Sequence, residues 1–127
     1  MAQRKNTWGL YKWFKEDGEH LIFPSDLERF MKYQAEIILF HCIDEDDQYI
    51  TIKYKDETFR VKPELYKQVP TPKFKYGDKV KLVENPDIEA IIDNILWHSN
   101  RNEPMYFIKV NGKRKSKRYW ETDFIPL

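Results

Sequence analysis

The chain has 127 residues, 41% hydrophobic and 16% aromatic, with 22 basic against 21 acidic side chains. That is enough apolar material for one core or two very small ones, and a net charge of +1 exerts no global pull toward polyanions or membranes. A single cysteine, Cys42, excludes an internal disulfide or a multi-cysteine zinc site, and with no apolar leader after Met1 and no membrane-length apolar run it leads to the expectation of a soluble, cytoplasmic protein.

The segment WGLYKWFKEDGEHLIF sets aromatic and aliphatic residues on both sides of the polar stretch Lys15 to Gly18, a pattern that predicts an N-terminal hairpin. In Pro24-Ser25-Asp26-Leu27-Glu28, Ser25 and Glu28 have the spacing of a capping box. Leu27, Phe30 and Met31 then share one stripe, which predicts one short helix. From Glu36 the pattern turns to strands: EIILFHCI, an acidic turn, QYITIKY, a turn at Lys55 to Glu57, and TFRVK, all rich in β-branched and aromatic residues. Pro63 to Tyr66 predicts a tight turn. Pro70-Thr71-Pro72 bars helix and resists central-strand pairing, so it marks a linker between a first domain, residues 1–70, and a second, residues 71–127.

The second half reads FKYGD, KVKLVE, a turn at Pro86-Asp87, EAIIDNILWH, a polar loop, MYFIKV, Asn111-Gly112 and KRKSKRYW. Asn-Gly is the strongest short hairpin signal, because both residues tolerate the positive φ of a type I′ turn. A shift of 57 residues lays Ile38-Leu39-Phe40-His41 on Ile95-Leu96-Trp97-His98, Tyr49-Ile50 on Tyr106-Phe107 and Glu64 on Glu121, which suggests an internal repeat.

The order Phe74, Gly77, Asp78, Val80, two strands, an Asn-Gly hairpin, then Trp120, Glu121, Asp123 and Phe124 resembles SH3-like small barrels of the Tudor and KOW type. Through the repeat, the resemblance extends more weakly to residues 35–70. It implies a mostly β fold: two SH3-like small barrels in tandem, with the hairpin and short helix packed against the first. The opening, with Gly9-Leu10-Tyr11, Trp13, Asp17-Gly18 and Phe23 through Glu28, is also similar to a family of small bacterial proteins of unknown function. Where that pattern places a histidine before the proline, this chain has Phe23, so no catalytic role is expected there.

Charge is unevenly spread. Residues 1–70 carry 11 basic and 13 acidic side chains, and residues 71–127 carry 11 and 8. Lys113, Arg114, Lys115, Lys117 and Arg118 give a basic strand with cations on both faces, which predicts a protruding ribbon able to track phosphates. Trp97, Tyr119 or Trp120 offers a stacking face for an unpaired base, and Trp97, Tyr106, Tyr119 and Trp120 together suggest the wall of a peptide groove. The competing readings are a solubilised edge strand and ordinary core aromatics.

His41 and Cys42 alternate across a strand and cannot easily share one ion, and an EF-hand loop beginning at Asp44 would need glycine where Tyr49 stands. No nucleophile with its base, and no glycine-rich phosphate loop, is visible. A non-enzymatic binding module without metal or cofactor is therefore expected, with nucleic acid as partner ahead of a protein or peptide.

Overall fold

The computed structural model describes residues 3–127, so Met1 and Ala2, where the reading of an absent leader begins, lie outside the described residues. The β-branched and aromatic runs form two antiparallel sheets of five strands. The first holds β1 (Thr7–Tyr11), β2 (Phe40–Glu45), β3 (Ile50–Tyr54), β4 (Glu57–Val61) and β5 (Tyr66–Val69), in the order β4-β3-β2-β1-β5. The second holds β6 (Lys79–Leu82), β7 (Asn85–His98), β8 (Glu103–Val110), β9 (Lys113–Arg114) and β10 (Phe124–Pro126), in the order β10-β6-β7-β8-β9.

Both sheets therefore follow one plan. Four strands meander, and the fifth returns to pair with the first after a 3-10 turn at Pro63–Leu65 or Glu121–Asp123. Neither sheet closes on itself, because the two edge strands of each share no ladder. The chain divides into two units, Met1–Thr71 and Pro72–Leu127. In the first, Phe30 meets Tyr11, Trp13, Phe40 and Phe59 through ring contacts of 5.1 to 6.1 Å. In the second, Phe124 meets Phe74, Tyr106 and Tyr119 at 5.4 to 5.6 Å. Most of these contacts are edge-to-face, with Phe30–Phe40 stacked and Tyr119–Phe124 tilted, and such packing adds specificity to the burial of large apolar area.

Several local expectations give way. The N-terminal hairpin does not form: Lys15–Asp17 and Glu19–Leu21 are 3-10 turns, the Asp17 carboxylate accepts the Phe14 N–H at 2.8 Å, and β1 pairs with β2 and β5 instead. The returning segment passes to the edge of β4, where Ile22 bridges Val61. The one short helix does form, at Leu27–Phe30, and follows a 3-10 turn at Pro24–Asp26. Ser25 makes no cap. Asp26 occupies the N-cap position, and its carboxylate turns to Arg29 and to the Arg60 N–H. The turn assigned to Pro86-Asp87 falls earlier, at Val83 and Glu84, since Leu82 faces Asn85 and β7 runs through the proline.

The Asn111-Gly112 turn is present, with φ of 52° and 77° and Val110 facing Lys113. Beyond it the basic segment does not protrude. Only Lys113–Arg114 is strand, the Lys115 N–H bonds the Ile108 carbonyl at 2.9 Å, and Tyr119 pairs with Tyr106, so the segment lies along β8. The repeat needs a similar correction. His41 lies near the start of β2, whereas His98 ends β7. The four-residue match thus joins places that are not equivalent, although the strand plan itself does repeat. Among the described residues, no helix is long and apolar enough to cross a membrane.

Candidate functional site on the outer face of the second sheet

Backbone register decides which side chains of the second unit meet solvent. Tyr106 and Tyr119 exchange two N–H···O bonds of 2.8 Å, and both rings turn inward with Val80, Ile92, Ile95, Trp97 and Ile108, all buried. Because side chains alternate across a strand, the neighbours of this set face outward. Lys79, Ile91, Lys109 and Arg114 form one row across four strands by direct Cα pairing. Leu96 and Met105 make another pair, and Phe107, Arg118 and Trp120 alternate with buried neighbours. The result is a partly apolar face bordered by cations.

That alternation corrects the aromatic groove. Trp97 is 6% exposed, Tyr106 0% and Tyr119 6%, so three of its four residues belong to the core and line no open groove. Burial pushes the Tyr106 phenol up to about 12, and burial likewise raises that of Tyr119. Only Trp120 keeps a partly exposed ring. Met105, Phe107 and Arg101 were missed, and the period-two alternation through MYFIKV was the signal that could have found the first two.

Arg101 sits over Trp120, its guanidinium carbon 3.7 Å from the ring centroid, while Arg118 stands 5.6 Å from the same centroid. This is the favoured arrangement for an arginine on indole, attracted by the ring quadrupole. His98 packs its ring against the edge of Trp120 at 5.4 Å and accepts the Arg101 N–H through Nδ1 at 3.1 Å. Glu103 reaches Arg101 Nε at 3.3 Å. The Trp120 N–H is held by the Asp123 carboxylate at 2.7 Å.

Lys113, Arg114, Lys115, Lys117 and Arg118 are all exposed, yet two are partly neutralised. Arg114 lies 3.3 Å and Lys109 3.4 Å from the Asp93 carboxylate, and Lys117 lies 3.3 Å from Glu84. Lys113, Lys115 and Arg118 have no ion pair among the described residues. The exposed Lys117–Glu84 pair is worth about 0 to 1 kcal/mol, so a polyanion can exchange it readily.

The first unit uses its conspicuous residues structurally. His41 stacks on Trp8 with ring centroids 4.5 Å apart. Cys42 is fully buried, and its thiol is pushed up to about 11, chiefly by burial. Asp46 accepts the N–H groups of Tyr49 and Gln48, each at 2.8 Å, which holds its carboxyl below the usual range. The acidic turn is thus closed on its own backbone. No group of three or more metal-ligating side chains gathers among the described residues.

The chain belongs to a family of unknown function, DUF6960, whose pattern it matches over residues 1–125. No curated protein matches it, and no solved structure does.

Proposed function

We propose that the chain is a non-enzymatic module of two SH3-like units that binds nucleic acid with the outer face of its second sheet and the basic segment beside it. The shared strand plan and the 3-10 turn before each fifth strand support the SH3-like assignment. The observation that carries the functional reading is the placing of Arg101 and Arg118 against the partly exposed Trp120, with the exposed Lys113 and Lys115 farther along the same basic segment. Cations at this density neutralise phosphates and release counterions, and an aromatic surface beside them receives a base. A peptide held by Trp97, Tyr106, Tyr119 and Trp120 is less favoured, because three of those rings lie in the core.

The test is fluorescence anisotropy of labelled single-stranded and duplex DNA and RNA at low and physiological salt. Binding should weaken as salt rises, and the logarithm of affinity should lose a slope of roughly 0.7 to 0.9 for each phosphate contact removed. Replacing Lys113, Lys115 and Arg118 with glutamine should remove most of it. No binding at low salt would end the proposal.

A further inference from the structure

Resting on that reading, we infer that the ligand is an unpaired strand, and that one of its bases stacks on the guanidinium of Arg101, which is itself stacked on Trp120. The guanidinium carbon lies 3.7 Å from the indole centroid, and the Arg101 side chain is still 49% exposed, which leaves it surface to offer a second planar group. A planar, weakly hydrated cation so exposed is a stacking partner for a nucleobase.

The platform is preorganised. Glu103 holds Arg101 Nε, His98 Nδ1 accepts the Arg101 N–H, and Asn102, at φ 55°, returns its own N–H to the His98 carbonyl at 2.8 Å. These contacts fix the loop between β7 and β8, so little ordering cost falls on binding. From Trp120 the chain runs back through Arg118, Lys115 and Lys113, all exposed and without ion pairs. Cations therefore continue away from the stacking point, as a strand leaving it requires. A duplex offers base faces only at its ends, and β9, two residues long, gives little ribbon to enter a major groove.

The intact chain should be titrated with a labelled 12-nucleotide strand, with a strand of equal length made abasic, and with a blunt duplex. The base-bearing strand should bind at least about tenfold tighter than the abasic one at equal salt. Arg101→Lys, which keeps the charge but loses the plane, and Trp120→Leu should erase that ratio while leaving the salt slope of the abasic strand unchanged. Unchanged melting of Arg101→Lys separates loss of stacking from loss of fold. Equal affinity for base-bearing and abasic strands, tighter binding of duplex, or an Arg101→Lys variant with the original ratio would each overturn the stacking inference and leave the phosphate reading standing. No binding of any probe would overturn both.

Discussion

Tyr106 and Tyr119 hold each other by two backbone hydrogen bonds of 2.8 Å, although Tyr119 lies outside any regular strand. That exchange sets the register of the basic segment. It turns Tyr119 into the core beside Phe124, and so turns Arg118 and Trp120 outward. A slip of one residue would bury a cation and expose a tyrosine, which the apolar interior of this unit opposes. The same two bonds keep the segment against β8, so the cations form a border to the sheet face.

Asp93 sits at the bulge between Ile92 and Asn94 and faces both Lys109 and Arg114. In Asp93→Asn both cations lose their counter-charge. Nucleic-acid affinity should rise at low salt, and the slope of log affinity against log salt should steepen by about 1 to 2. Anisotropy across a salt series measures both quantities; a variant that binds no better than wild type would show that these two cations face no phosphate.

The strand runs, the Asn111-Gly112 turn and the basic cluster are legible from sequence because each depends on local chemistry. Inward or outward placement in the second sheet was less so. Bulges at Lys81/Leu82 and Ile92/Asn94 shift the register, and a bulge cannot be read from alternation alone. The hairpin expected around Lys15 to Gly18 failed for another reason. Hairpin and successive 3-10 turns share the same polar, glycine-ended signature, and the choice was made by distant partners, β2 and β5 for β1 and β4 for Ile22. The capping box read from Ser25 and Glu28 gives way likewise, because Asp26 takes the N-cap position and its partner Arg60 lies 34 positions away.

Asp26 is 7% exposed. It accepts from Arg29 Nη2 at 2.8 Å and from the Arg60 N–H at 2.9 Å, tying the short helix to β4. Asp26→Ala should destabilise the fold by about 1 to 3 kcal/mol, since a backbone donor loses its partner. Asp26→Asn, which keeps an acceptor, should cost less. Urea denaturation with an unchanged m-value resolves the two, and equal losses would mean that the acceptor does not carry the effect.

Gly9 and Gly112 are glycines for different reasons. A Cβ at Gly9 would stand 2.5 Å from the Tyr66 ring and 2.7 Å from the Lys67 carbonyl oxygen, whereas one at Gly112 meets open space but inherits a φ of 77°. Gly112→Ala should therefore cost roughly 1 to 2 kcal/mol, the left-handed penalty alone. Gly9→Ala should cost more, because β1 or β5 must shift within a hydrogen-bonded ladder. Thermal melts of the two variants order these costs, and the reverse order would contradict the close approach of Tyr66 to β1.

Cys42 gives the fold an alkaline limit. Burial raises its thiol from 9.0 to about 11, so between those values the unfolded chain sheds a proton that the folded chain keeps. The unfolded state then binds fewer protons, and stability falls as pH rises. The contribution is intact below pH 9, is lost progressively up to about pH 11, and amounts to roughly 2 to 3 kcal/mol. The phenols of half-buried Tyr66 and buried Tyr106, each raised to about 12, add a similar fall at higher pH, so the cysteine share is isolated by comparison with Cys42→Ala. That variant starts less stable at neutral pH because it leaves a gap in the core. Its denaturation midpoint should decline less steeply than wild type between pH 8 and 11, so that the two curves converge. Parallel curves would show that the thiolate is as well solvated in the folded chain as in the unfolded one, against the full burial of Cys42.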